Sequence, residues 1–357
     1  MSDVSQDIKL NGCVYNCHTF RELHLVANLA DPWQNSIFHF LQNWFDDTDF
    51  IEAQTSGSTG KPKTIRLLKR QMINSARMTN RFFGLNEQST ALLCLPASYI
   101  AGKMMLARAL AVGFNLLTVE PSANPFEHLD VEIDFAAITP YQLFHSHETL
   151  QQARVRKIIV GGSPVAGKLE KLVENIPAEL FETYGMTETC SHIALRRFNG
   201  KEKSDYFTVL DGVRIRLDGR GCLVIHAPHL SENDIVTNDL VEISGGSSFK
   251  WLGRIDSVIN SGGIKIHPEL LEKKLDTILS CPYFISSIPD TVLQNKVVLV
   301  LEKAVSEDEQ QLKGKMSEVL EKYEMPKQIF YTRKFVYSPG NKILRKETLG
   351  QILDTME

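Results

Sequence analysis

No stretch of this chain reaches the roughly 18 consecutive apolar residues a membrane-spanning helix needs, so insertion into a bilayer is not expected. The opening residues, MSDVSQDIKLNG, lack the basic-then-apolar run of a secretory signal. Positive charge is not in excess. The 39 Lys and Arg stand against 43 Asp and Glu, a net charge of −4. That balance offers no electrostatic footprint for nucleic acid or an anionic membrane surface. There is no internal repeat and no low-complexity tract. Cysteine is sparse, with six residues scattered at 13, 17, 94, 190, 222 and 281. The one close pair, Cys13 and Cys17, is followed by His18. Without a second pair it makes a poor zinc site, so free thiols are expected. These absences describe an ordinary cytoplasmic globular protein.

What is present is a sizeable core and a clear rhythm. At 357 residues and 43% hydrophobic content, two domains are expected. Short apolar runs, ALLCLP (91–96), NLLTVE (115–120), FAAITP (135–140), KIIVGG (157–162) and LFETYG (180–185), have the character of buried strands. Helical patterns such as IAGKMMLARALAV (100–112) and PVAGKLEKLVENI (164–176) lie between them. Such alternation predicts βαβ units and a mostly parallel sheet, whose ligands sit beyond the carboxyl ends of the strands. From about residue 206 the pattern alternates apolar and polar, as antiparallel hairpins do. A glycine-rich junction (245–269) leads into a last segment of helix, strand, helix and strand. The expected fold is α/β: a large N-terminal domain, residues 1–253, with mostly parallel sheets, helices and a small antiparallel β part. A small α+β domain, residues 254–357, follows a hinge at 254–256.

The stretch TSGSTGKPKT (55–64) is too rich in glycine and hydroxyls for an ordinary strand or helix. It is not the Walker loop G-x-x-x-x-G-K-[ST], because Pro62 follows Gly60-Lys61 and no glycine stands five residues before Gly60. IEAQT before it and TIRLL after it make it a hairpin tip. Successive glycines let backbone N–H groups converge on an anion, and the hydroxyls and lysines add donors and charge. A flexible surface loop is the plain alternative for this stretch by itself.

The loop is one of five motifs in order. Thr55, Ser56, Gly57, Ser58, Thr59, Gly60, Lys61 and Lys63 match a [ST]-[ST/G]-G-[ST]-T-G-x-P-K pattern. Tyr184-Gly185-Met186-Thr187-Glu188 matches Y-G-x-T-E, and Asp239 precedes Gly253-Arg254-Ile255-Asp256, a G-R-x-D motif. Gly262 and Gly263 follow, and Asn341-Lys342-Ile343-Leu344-Arg345 matches G-K-[IV]-x-R from its lysine onward. With these residues the chain resembles the adenylate-forming superfamily of acyl- and aryl-CoA ligases, luciferases and peptide-synthetase adenylation domains.

The resemblance implies a carboxylate attacking the α-phosphate of ATP with Mg²⁺ present, then coenzyme A displacing AMP. Two anions meet in the first half, so a cation must offset their repulsion, and Lys342 is the residue implied. Glu188 is implied as the Mg²⁺ ligand and Thr187 as an α-phosphate contact. Asp239 would accept from the ribose hydroxyls, and Arg254 would hold ribose or phosphate. Gly161, Gly162 and Ser163 match the adenine-flanking loop. Tyr184 is either a stacking face or a core tyrosine. Asp256 marks the hinge about which the small, mobile domain turns. Gly262 and Gly263 leave room for a pantetheine arm.

About 54 residues precede the phosphate loop, fewer than in most of the superfamily, and Gly185–His192 (GMTETCSH) resembles the o-succinylbenzoate–CoA ligases of menaquinone biosynthesis. Two positions depart from the pattern: Tyr99 replaces a histidine, and His192 stands where glutamine or threonine is usual. A dicarboxylate needs a countercharge at its non-reacting end; Lys103 is the first candidate and His192 the second. The alternatives are another aryl- or medium-chain acyl-CoA ligase, an adenylation enzyme loading a carrier protein, or a non-catalytic AMP-binding protein. Partners are therefore a small carboxylic acid, ATP and coenzyme A. The oligomeric state is open, a homodimer included.

Overall fold

The computed structural model describes residues 7–19, 31–54, 64–303, 309–337 and 343–355. Its centre is a sheet of thirteen strands. Five consecutive strands of the predicted rhythm, Asn115–Thr118, Thr90–Leu93, Ile133–Ile138, Val155–Val160 and Glu179–Gly185, lie side by side and parallel. Asp7–Leu10 extends this parallel run beyond Asn115–Thr118, and Cys13–Asn16 closes that edge as an antiparallel hairpin.

Side chains alternate between two apolar cores. Phe135, Ala137, Ile159 and Phe181 enter one, while Ala136, Ile158, Val160 and Leu180 enter the other. Burial on both faces explains why these strands read as unbroken apolar runs rather than alternating ones. Helix Ile100–Val112 stops at Gly113, which takes a left-handed φ of 81°. Pro140 opens helix Pro140–Leu150 behind Thr139, whose hydroxyl caps the Gln142 N–H at 3.2 Å. The helix predicted over 164–176 is shorter, Gly167–Leu172.

The antiparallel strands expected after residue 206 join the large sheet. His192–Arg197 pairs antiparallel with Glu179–Gly185, and Phe207–Val209, Ser248–Arg254, Ile235–Ser244, Cys222–His226 and Arg214–Leu217 continue the same sheet. A second sheet of five strands begins with Ile259–Ser261 and Ile264–Ile266 and contains Tyr283–Asp290, Gln294–Glu302 and Gln328–Thr332. The apolar cores of the large sheet end at Phe249 in sequence, and those of the second sheet begin at Ile259. Phe50–Gln54 and Thr64–Leu68 form an antiparallel pair in which Gln54 faces Thr64. Among the described residues no helix is long and apolar enough to cross a membrane, and all six cysteines are unbridged.

Candidate active site

Parallel strands bring their carboxyl ends to one edge, and Gly161–Ser163 and Met186–Glu188 follow two of those strands. After Val160, Gly161 donates its N–H to Ile138 O at 3.0 Å. A Cβ on Gly161 would lie 2.4 Å from Thr183 Oγ1, so only glycine lets this loop pass so close to the next strand. Gly162, at φ 94°, turns the chain toward exposed Ser163. Glu182 reaches back from the neighbouring strand and accepts the Val165 N–H at 2.9 Å. Its other oxygen takes two bonds from Arg196, which also binds Glu170, making a buried three-member ion cluster.

After Gly185 the chain makes the short 3-10 turn Thr187–Thr189 and returns as His192–Arg197. The return is tight: a Cβ on Gly185 would meet Ser191 O at 2.4 Å and His192 Cα at 2.5 Å. Buried Thr189 ties the turn to itself, its hydroxyl accepting from Met186 N–H at 3.0 Å and lying 2.6 Å from Ser191 O. Cys190 holds a left-handed φ of 62°, unusual for a residue with a side chain. This scaffold leaves Glu188 exposed and Thr187 half-buried on the outer edge.

Tyr184 and Asp239 meet directly. The Tyr184 hydroxyl donates to Asp239 Oδ2 at 2.6 Å, and Trp251 Nε1 donates to Oδ1 at 3.2 Å. Burial and the adjacent Asp239 charge push the Tyr184 phenol above its usual range, so it remains a donor. The ring packs edge-on against Phe249 at 4.9 Å and near Phe207, so Tyr184 is anchored in the core at one end and to the carboxylate at the other. Arg254 faces Asp239 across the strand pair. It forks onto Asp256 with Nε–Oδ1 at 3.0 Å and Nη2–Oδ2 at 3.1 Å, which holds the Asp256 carboxyl below its usual range. Gly262 and Gly263, at φ 59° and 82°, form the exposed turn between Ile259–Ser261 and Ile264–Ile266.

The acid-site candidates fare unevenly. Tyr99 begins helix Ile100–Val112 and is 60% exposed. Lys103 is half-buried, and burial lowers its ammonium below the usual lysine range. His192 does not provide a countercharge. It is 5% exposed, and burial, with the Arg108 charge beside it, drives its imidazole well below the ordinary value, so it is neutral. The surrounding hydrogen bonds fit that state. Arg108 Nη2 donates to Ser191 Oγ at 2.9 Å, leaving the serine proton for His192 Nδ1 at 3.3 Å. Nε2 lies 3.1 Å from Thr79 Oγ1, whose own proton goes to Ser75 O.

Arg108 is the group that sequence reasoning missed. It is 1% exposed, its Nε has no partner, and no carboxylate of the described residues reaches it. Burial alone lowers its guanidinium to about 9, so it remains cationic at neutral pH. The available signal was an arginine embedded in MMLARALAV with apolar residues on both sides. Residues Thr55 to Lys63 and Lys342 lie outside the described residues, so only their flanks are placed. Among the described residues no group of three or more His, Cys, Asp or Glu could hold a metal by itself. A lone exposed carboxylate such as Glu188 fits Mg²⁺ arriving with a nucleotide, since that ion takes one or two carboxylates beside phosphate oxygens.

The family described as AMP-binding enzyme matches residues 54–221. The chain is 34% identical to an acyl-CoA synthetase (AMP-forming)/AMP-acid ligase II-like protein from Dyadobacter fermentans, covering 92% of this chain and 97% of that one, with a TM-score of 0.60. It is 25% identical to the 2-succinylbenzoate–CoA ligase of Bacillus cytotoxicus, over 84% of this chain and 69% of the relative. The Lactococcus lactis ligase of the same name is 24% identical, over 85% and 72%. Its fold is like that of o-succinylbenzoate coenzyme A synthetase from Bacillus subtilis in complex with ATP and magnesium ion, at 24% identity over 84% of this chain and 69% of that one, with a TM-score of 0.70. On the sequence identity and the motif order together, this chain belongs to the AMP-binding, adenylate-forming enzyme family.

Proposed function

We propose that this protein is an AMP-forming acid–thiol ligase whose acid is o-succinylbenzoate, converted to its coenzyme A thioester as in menaquinone biosynthesis. In the first half-reaction a carboxylate oxygen of the acid attacks the α-phosphorus of ATP. The bond to the bridging oxygen breaks, and pyrophosphate leaves with the electron pair. In the second, the coenzyme A sulfur attacks the acyl carbon, the thiol proton passes to solvent, and AMP departs with the former acyl oxygen.

The roles are those the motifs and the family resemblance imply, and elementary charge balance supports them. Lys342 offsets the repulsion between carboxylate and phosphate. The donors of Thr55–Lys63 cradle the phosphates, and Thr187 contacts the α-phosphate. Asp239, held by Tyr184 and Trp251, keeps lone pairs for the ribose hydroxyls. Gly161, Gly162 and Ser163 flank the base. Glu188 would hold Mg²⁺, which when bound neutralises phosphate charge. Residues 254–357 act as the small body that turns at Asp256 between the half-reactions, bringing Gly262 and Gly263 toward the thiol.

One observation carries the choice of a dicarboxylic acid: Arg108, a buried cation that no carboxylate of the described residues reaches, hydrogen-bonded to Ser191 three residues beyond Glu188. A buried charge left unpaired is costly, and a substrate carboxylate would relieve it. The relatives named for 2-succinylbenzoate point the same way. Pyrophosphate release across a panel of acids, with coenzyme A present, tests the assignment. o-Succinylbenzoate should give the highest kcat/KM; a higher value for a monocarboxylic aromatic or medium-chain acid contradicts it.

A further inference from the structure

The described residues that flank 338–342 are held by a second charged fork. Tyr337 pairs with Ile343 in an antiparallel bridge, and Leu344 N–H donates to Val336 O at 2.8 Å, so the two sides of 338–342 are drawn together. The Tyr337 hydroxyl donates to Glu302 Oε2 at 2.5 Å. Arg345, which opens helix Arg345–Asp354, sets Nη1 on Glu272 Oε1 and Nη2 on Oε2, both at 2.8 Å. Glu272 Oε1 also accepts the Ile285 N–H at 2.8 Å. One carboxylate thus joins helix Pro268–Leu275, strand Tyr283–Asp290 and the helix that follows Lys342.

We propose that Glu272 is a positioning residue for acid activation: through Arg345 it fixes the chain immediately after Lys342 so that the lysine can be presented to the reacting anions. The inference rests on the reading of Lys342 as the cation of the adenylating step. A two-bond guanidinium–carboxylate fork fixes direction as well as distance, which a single contact does not. Its contribution to stability is a weak reason for its presence, since an apolar pair would often serve the fold as well. Burial pushes the Glu272 carboxyl up to about 7, with the Arg345 charge and the Ile285 N–H acting against that rise and Glu269 with it. Tyr283 faces the same helix, its hydroxyl bonding Glu272 O and Asp276 Oδ1.

The test uses Glu272→Gln, which preserves shape and removes the charge, in the full-length protein. Acid-dependent ATP–pyrophosphate exchange reads the first half-reaction. Thioester formation from coenzyme A and chemically prepared acyl-adenylate reads the second. Exchange should lose at least about 10-fold in kcat, with KM for ATP little changed, because the loss is one of placement. Thioester formation should stay within about twofold of wild type, which also shows that the variant is folded. Equal losses in both halves, or none in exchange, would overturn the proposal. Should Glu272→Gln not fold, Arg345→Lys keeps a charge without the fork and must show the same split. A wild-type protein without exchange removes the ligase reading and this inference together, whereas normal exchange in both variants removes the positioning role alone.

Discussion

Arg108 Nη2 donates to Ser191 Oγ at 2.9 Å, and this is the one hydrogen bond that its guanidinium makes to oxygen among the described residues. Nη1 faces only Met105 Sδ at 3.4 Å, and the ring of Phe135 lies 5.9 Å away. A guanidinium so placed is a liability to the fold by itself, and under the proposed function the substrate carboxylate offsets it. Replacing it by methionine separates the two effects. Arg108→Met should leave the melting temperature unchanged or raise it, since a buried unpaired charge is lost. The same change should raise KM for o-succinylbenzoate by about 10-fold or more, the value of a charged hydrogen bond, and spare aromatic monocarboxylic acids. Melting curves and the two KM values check both parts.

Glu182 links stability to the loop after Val160. It binds Arg196 and the Val165 N–H, and Arg196 is 4% exposed. Glu182→Ala would leave Arg196 with only part of its countercharge, at a cost of about 3–5 kcal/mol. Urea unfolding should show that loss, and KM for ATP should rise because the Gly161–Ser163 loop loses its anchor.

Gly185 tests how closely the Thr187–Glu188 turn must be held. A methyl group there cannot fit against Ser191 O without moving backbone. Gly185→Ala should therefore reduce acyl-adenylate formation by about 100-fold, the scale of a misplacement of an ångström. A rate near wild type in the pyrophosphate-exchange assay would show that the turn has more freedom than the geometry allows.

Glu272 gives the pH dependence. Burial raises its carboxyl to about 7, so acidification neutralises it and weakens the fork to Arg345. Adenylation should accordingly fall as pH drops through about 7, and Glu272→Gln should lack that limb, being low throughout. A pH–rate profile of exchange for the two proteins decides it.

The parallel strands were legible because burial on both faces writes an unbroken apolar run. The places of Thr187 and Glu188, just past a parallel strand, were legible from the apolar run that ends at Gly185, whereas the Tyr184–Asp239 contact joins two strands distant in sequence. The roles of Arg108 and His192 were not legible. An arginine on a helix ordinarily extends to solvent, and its burial here depends on Ser191 and Phe135, which are distant in sequence. His192 looked like a candidate cation, but its burial, and then the Arg108 charge, holds its imidazole well below the ordinary value. Glu272 lies within PELLEKKL, an amphipathic pattern in which one more glutamate carries no signal. Only the convergence of Arg345 and Ile285 on its oxygens distinguishes it.

The most direct measurement is acid-dependent ATP–pyrophosphate exchange with o-succinylbenzoate, comparing the wild-type protein with Lys342→Ala. The wild type should exchange label only when acid is present. The variant should lose at least about 100-fold, yet still form thioester from prepared acyl-adenylate and coenzyme A. Exchange at the wild-type rate in the variant, or no acid-dependent exchange in the wild type, would contradict the account.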